Sequence, residues 1–142
     1  MATSPNGTHV GKVTDMASML SYMNAFNGDI SKWDVSQVNT LFNGDLSKWD
    51  VAKVTNMKWM FRSTESFTGG DLSKWDVRNA RHFRQMFYEA KVFNGDIAKW
   101  NPVNVYDAYQ MFYNAPLFAQ TLCGPWKGKR NMFGGSSKAK LC

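Results

Sequence analysis

Histidine and cysteine are scarce, with two of each among 142 residues. The side chains from which most hydrolases, redox enzymes and zinc sites are built are therefore nearly missing. His9 lies in a polar opening stretch, and His82 stands where other copies of the repeat described below carry Asn or Asp. There is no Gly-x-Ser-x-Gly elbow, no phosphate-cradling Gly-rich loop and no His-Glu-x-x-His. The expectation is a non-enzymatic protein with no cofactor and no metal site. Long hydrophobic runs are also missing: the apolar 44% of the chain comes in short clusters, far from the roughly 18 consecutive apolar residues of a membrane span. Residues Met1 to Thr8 hold no basic flank leading into an apolar stretch, so no secretory leader is read there. Asn6-Gly7-Thr8 is a glycosylation sequon, meaningful only in a secretory pathway.

Cys123 and Cys142 are too few for a disulfide framework. In an oxidising compartment they could pair, closing a loop of about 20 residues worth roughly 3 kcal/mol; in a reducing one they would be free thiols. Acidic residues stop at Asp107. Up to there, 12 Lys/Arg face 11 Asp/Glu, and the rest of the net +6 comes from Lys127, Lys129, Arg130, Lys138 and Lys140. A basic Gly/Ser-rich end of this kind reads as a solvated tail, with weak attraction to phosphate or anionic lipid as the alternative and no specific nucleic-acid binding.

What the chain has in abundance is self-similarity. Phe26-Asn-Gly-Asp-Ile-Ser-Lys-Trp33-Asp-Val returns as Phe42-Asn-Gly-Asp-Leu-Ser-Lys-Trp49-Asp-Val, as Phe67-Thr-Gly-Gly-Asp-Leu-Ser-Lys-Trp75-Asp-Val and as Phe93-Asn-Gly-Asp-Ile-Ala-Lys-Trp100-Asn-Pro. A degraded copy runs from Phe118 to Trp126, and successive tryptophans are 16, 26, 25 and 26 residues apart. Between these segments, apolar side chains recur at i, i+3, i+4 and i+7. Met16, Met19, Leu20 and Met23 share columns with Met57, Met60, Phe61 and Thr64, with Phe83, Met86, Phe87 and Ala90, and with Ala108, Met111, Phe112 and Ala115. That spacing predicts a short α-helix in each unit, with Thr14 and Thr55 as N-caps. Asp-Ile/Leu-Ser-Lys-Trp predicts a short strand, entered through an Asn-Gly or Gly-Gly that accepts positive φ. Ile30 and Trp33 have opposite parity, so burying both requires a bend near Lys32.

A strand, a helix and a turn repeated every 25 or so residues predict an α/β solenoid of about four to five units, a leucine-rich-repeat-like stack of short parallel strands and short helices. The expected organisation is a disordered tail over residues 1–9, the repeat solenoid over 10–126, and a basic tail with a degraded last unit over 127–142. Its core would be built from Phe26, Trp33, Phe42, Trp49, Met60, Phe61, Phe67, Trp75, Met86, Phe87, Phe93, Trp100, Met111 and Phe112, each above its counterpart. The unit from Phe26 to Leu41 lacks a helix segment. A compressed turn is expected there, leaving apolar surface near Met23 and Phe61 exposed.

The repeat, together with Val-Thr-Asn-Met-Lys-Trp-Met-Phe (54–61), resembles the BspA-type leucine-rich-repeat surface proteins of bacteria and some unicellular algae. The resemblance runs from Val10 to about Phe133, and the ending Leu122-Cys123-Gly-Pro-Trp126…Asn131-Met132-Phe133 is most similar to the terminal unit of the algal versions. It implies a leucine-rich-repeat-like fold, an extracellular or surface location, and adhesion or protein–protein contact. The missing leader, the second unit without its helix and the shortened last unit depart from that pattern.

The aspartates Asp29, Asp45, Asp71 and Asp96, and Asp34, Asp50 and Asp76, form columns that could offer oxygen ligands to calcium. They read more simply as turn stabilisers beside neutralising lysines. The lysine column, Lys32, Lys48, Lys74 and Lys99, is the candidate binding face, for a protein or glycan ligand. Self-association through open solenoid ends is the alternative.

Overall fold

The computed structural model describes residues 46–47 and 51–142. Phe26, Trp33, Phe42, Trp49, Lys32, Lys48, the compressed turn and residues 1–9 lie outside the described residues.

Regular secondary structure is sparse among the described residues. Two parallel two-residue strands, β1 (Thr121–Leu122) and β2 (Lys140–Leu141), pair Thr121 with Lys140 and Leu122 with Leu141. A single 3-10 turn spans Gly124–Trp126. The expected helices are not there: the described residues contain no α-helix. The segments 57–64, 83–90 and 108–115 are instead chains of tight turns whose N–H groups have two destinations. The amides of Phe83, Gln85, Phe87 and Glu89 donate to the carbonyls of Asp107, Tyr109, Met111 and Tyr113 in the next unit, at 2.7–3.0 Å. Those of Met86, Tyr88 and Ala90 donate three residues back, to Phe83, Gln85 and Phe87. One unit earlier, Met57, Trp59, Phe61 and Ser63 reach His82, Arg84, Met86 and Tyr88 in the same way.

This geometry depends on left-handed residues placed every four positions. Trp59 and Ser63, Gln85 and Glu89, and Gln110 and Asn114 have φ between 52° and 61°. In an α-helix each N–H would be used within the segment, leaving nothing for a neighbour. Here the chirality reversal frees every second amide to bond along the stack. The burial pattern is nevertheless that of the sequence spacing: Met57, Met60, Phe61 and Thr64 are all buried, as are Phe83, Met86, Phe87 and Ala90. Thr55 caps no helix; its carbonyl accepts the amides of Arg81 and His82. Phe61, expected near exposed surface, is 3% exposed.

The expected strands are turns as well. Trp75 N–H donates to Leu72 O at 3.1 Å, and Trp100 N–H to Ile97 O at 3.0 Å. This turn supplies the bend that lets Leu72 and Trp75, or Ile97 and Trp100, be buried together despite opposite parity. The aspartates set up these corners: Asp71 Oδ1 accepts from Ser73 N–H and hydroxyl, Asp96 Oδ1 from Ala98 N–H, and Asp76 from Arg78 N–H and guanidinium. The Ser73 hydroxyl holds the Asp71 carboxyl below its ordinary range, and Arg78 does the same for Asp76.

Like side chains meet across units. Trp75 and Trp100 stack with centroids 5.9 Å apart and planes 4° from parallel, and Trp100 and Trp126 stack at 6.4 Å. Phe61, Phe87, Phe112 and Phe133 form a second column at 5.3, 5.6 and 5.8 Å. Phe67, Phe93 and Phe118 form a third, and each leans on the second column at 3.8–4.4 Å. A buried aromatic ring of roughly 200 Å² contributes several kcal/mol at about 25 cal/mol per Å². This cohesion exists only between units, because no single unit could cover its own rings.

Residues 127–142, expected as a basic tail with a degraded last unit, form an abbreviated last unit whose lysines Lys127, Lys138 and Lys140 are exposed. Met132 is 1% exposed, and the amides of Gln110, Phe112 and Asn114 donate to the carbonyls of Asn131, Met132 and Gly134. A disulfide joins Cys123 to Cys142, with Cα atoms 5.0 Å apart. The apolar pair Met132–Phe133 holds this segment down against the charge of its lysines. Replacing both cysteines by serine is expected to cost about 3 kcal/mol, as for a loop of this length. Urea denaturation gives that loss, and native-state hydrogen exchange should show the Gln110, Phe112 and Asn114 amides opening first. Unchanged protection there would show that the disulfide does not hold the unit in place.

Candidate binding face

The turn-chain segments carry their outward side chains in register, one unit above the next. Arg62 lies over the ring of Tyr88 at 4.9 Å, and Tyr88 stacks on Tyr113 at 5.3 Å. Beside that column, Trp59 Nε1 donates to Gln85 Oε1 at 3.1 Å, and Gln85 Nε2 to Gln110 Oε1 at 2.8 Å. Arg84 covers the ring of Tyr109 at 4.8 Å. At the next position Asn56, His82 and Asp107 are linked by parallel bridges. The Tyr106 hydroxyl lies 2.8 Å from His82 Nε2, and Lys58 lies 4.0 Å from Asp107.

The backbone ladder places these side chains, and their neighbours hold them. Trp59, Arg84, Gln85, Tyr88, Tyr109, Gln110 and Tyr113 sit on residues whose amide or carbonyl is bonded to a neighbouring unit, so their Cα positions are fixed before their own contacts form. Arg62 and Lys58 are tied within their own unit, Arg62 N–H to Trp59 O and Lys58 N–H to Asn56 Oδ1. Trp59 (45%), Tyr109 (40%) and Tyr106 (71%) remain open to solvent. The face therefore combines exposed aromatic rings with Lys58, Arg62 and Arg84, all restrained by hydrogen bonds, ring stacking or an ion pair. It ends at an open cleft between residues 105–109 and the abbreviated last unit.

The lysine column lies at a different corner. Lys74 and Lys99 follow the buried Leu72 and Ile97 in their turns and are exposed, with Lys74 3.6 Å from Asp71. The turn-chain face escapes a sequence reading because its columns are not identities: Lys58, Arg84 and Tyr109 share one, and Arg62, Tyr88 and Tyr113 another. The available signal was that each buried Phe of the second column is followed by a large cationic or aromatic residue.

Among the described residues no helix is long and apolar enough to cross a membrane. A family model described as "Mycoplasma protein of unknown function, DUF285" matches residues 6–41 and 39–126, two successive stretches of the chain. No curated protein and no solved structure matches it.

Proposed function

The chain belongs to the DUF285 family, and from that premise we propose that it is a non-catalytic repeat module, a solenoid of stacked turns that presents a side-chain ladder to a protein or glycan. The observation that carries this reading is the restrained aromatic and cationic face of Trp59, Arg62, Arg84, Tyr88 and Tyr109. Trp, Tyr and Arg are the side chains that most often dominate binding energy. Side chains already held in place lose little entropy when a partner arrives. Equivalent positions repeated along a stack let weak contacts add through effective concentration.

The resemblance of the repeat to BspA-type leucine-rich-repeat surface proteins supports an adhesion-like role at the cell surface. The Cys123–Cys142 disulfide supports an oxidising compartment. End-to-end self-stacking is the less favoured reading, because the abbreviated last unit offers a copy fewer matching backbone groups than a full unit would.

Retention on a panel of immobilised proteins and glycans tests the proposal. The Trp59→Ala/Arg62→Ala double variant is expected to weaken retention about tenfold or more, as for the loss of two anchor residues. Loss on Lys74→Ala/Lys99→Ala instead would move the binding face to the lysine corner. No retention of the native chain, with a light-scattering mass that rises with concentration, would overturn the proposal in favour of self-stacking.

A further inference from the structure

The last unit is short in one place. Ten residues separate Trp100 from Met111, and five separate Trp126 from Met132. The missing residues are those that would cover the start of the preceding turn chain. Met57 N–H meets His82 O at 2.9 Å, and Phe83 N–H meets Asp107 O at 2.7 Å. Ala108 N–H, next in that column, has no following carbonyl. Thr55 O and Arg81 O each accept two amides from the next unit, and Tyr106 O has no such donor. The space left is an open cleft of about 450 Å³, walled by Val105–Tyr109 on one side and Lys127–Asn131 on the other.

We propose that this cleft is a binding site for an acidic saccharide, a uronate-bearing oligosaccharide whose carboxylate meets the Lys127–Arg130 wall while a sugar ring lies against Tyr106 and Tyr109. The assignment rests on the reading of the chain as a binding module and names a ligand class at one end of its face. The wall supplies Lys127, Lys129 and Arg130 against a single carboxylate, Asp107, which already has Lys58 and His82 beside it. Lys129 is tethered through Nζ to Val105 O, and burial pulls its pKa down, a penalty on the cation that a nearby anion would relieve. Tyr106 is 71% exposed, yet His82 fixes its hydroxyl and the ring edge, so it offers a flat apolar wall in one orientation. Ala108 N–H can donate to a carboxylate or hydroxyl oxygen, and Tyr106 O can accept a sugar hydroxyl.

Two other ligand classes fit less well. An added peptide strand needs a run of free backbone groups, but Gln110, Phe112 and Asn114 already spend their amides on the last unit. The cleft volume suits a ligand of one or two rings rather than a nucleic-acid backbone.

The test is calorimetric titration of the full chain with digalacturonic acid, its dimethyl ester, acetate and hexaglutamate. The acid is expected to bind at least about tenfold more tightly than the ester or acetate, because the charge-assisted contacts need the carboxylate and the ring contacts need the sugar. Lys127→Ala/Arg130→Ala should weaken the acid about tenfold or more. Tyr106→Ala should weaken it about fivefold, while Tyr106→Phe, which keeps the ring, should stay within about twofold. Trp59→Ala/Arg62→Ala, away from the cleft, should leave it within about twofold. Equal binding of acid and ester, acetate binding as tightly as the disaccharide, tighter binding of hexaglutamate, or no binding at all would each overturn the assignment. Retention on the protein and glycan panel that still depends on Trp59 and Arg62 would then leave the broader reading standing.

Discussion

Replacing Trp100 with alanine is expected to lower stability by about 4 kcal/mol, within the range for truncating a large aromatic in a packed core. Trp100 is 1% exposed and sits between Trp75 and Trp126, with Phe83 a further 5.7 Å away. Its removal leaves a gap between two rings that backbone ladders hold at a fixed separation, so the void cannot readily collapse. Its indole N–H donates to Leu72 O at 2.8 Å, and Trp75 makes the same bond to Leu46 O at 2.9 Å. Truncation removes the donor, leaving Leu72 O with only the Trp75 amide, a further cost of about 1 kcal/mol. Trp126 provides an internal comparison: it is fully buried, but its Nε1 has no partner. Phenylalanine at 126 should therefore cost about 1 kcal/mol less than phenylalanine at 100, the difference being that hydrogen bond. Urea denaturation followed by circular dichroism, which does not depend on tryptophan emission, measures both. A loss below about 1 kcal/mol for Trp100→Ala would show that the tryptophan column does not carry the cohesion between units.

The register of the units was legible because it is written in identities. A tryptophan or phenylalanine that must meet its own kind cannot drift without leaving a ring uncovered, so Trp75, Trp100 and Trp126 mark the spacing directly. The conformation between them was not legible. Burial at i, i+3, i+4 and i+7 is common to an α-helix and to a chain of turns that reverses every four residues, and Met57 to Thr64 satisfies both. The discriminating feature is the left-handed backbone, and at most of its positions the sequence shows Trp, Ser, Gln or Glu rather than glycine. Only Asn114, Asn131 and Gly135 carry residues that favour that region. The other positions are held there by the ladder, at roughly 1 kcal/mol each, and the hydrogen bond each one makes to the next unit offsets a cost of that size. Tertiary bonding thus overrides local preference in the three full turn chains among the described residues, while the abbreviated last unit, with Asn131 and Gly135, has residues suited to its backbone.

The candidate site was hidden for a related reason. Lysines 74 and 99 repeat and so attract notice, yet they sit at a corner fixed by the requirements of the turn. The residues of the turn-chain face differ from unit to unit, and their relation emerges only when the backbone brings Arg62 over Tyr88 and Arg84 over Tyr109. The cleft was implicit in the five residues lost before Met132, but a shortened repeat does not by itself say which backbone groups go uncovered.

Gly69→Ala is the second large effect, expected to cost about 3 kcal/mol. The recurring glycine after Phe-Asn or Phe-Thr was expected to serve a turn through positive φ. Gly69 does have φ 105°, but Gly95, at the corresponding place one unit on, is not in the left-handed region. What the two share is proximity. A Cβ on Gly69 would stand 2.6 Å from Gly95 Cα and 2.7 Å from Phe93 Cε2, and one on Gly95 would stand 3.0 Å from Gly69 Cα. The obstacle is backbone, so relief requires prising two units apart and stretching the Thr68–Asn94 hydrogen bond beside them, 3.1 Å long. Gly70 separates close approach from dihedral strain: its φ is 49°, and a Cβ there would meet nothing within 4 Å. Alanine at 70 should cost only the left-handed penalty of about 1 kcal/mol, and alanine at 95, with its milder contact, about 2 kcal/mol. The expected order of loss in urea denaturation is therefore Gly69, Gly95, Gly70. Equal losses at 69 and 70 would mean that backbone dihedral strain alone, and not the close packing of one unit on the next, requires glycine there.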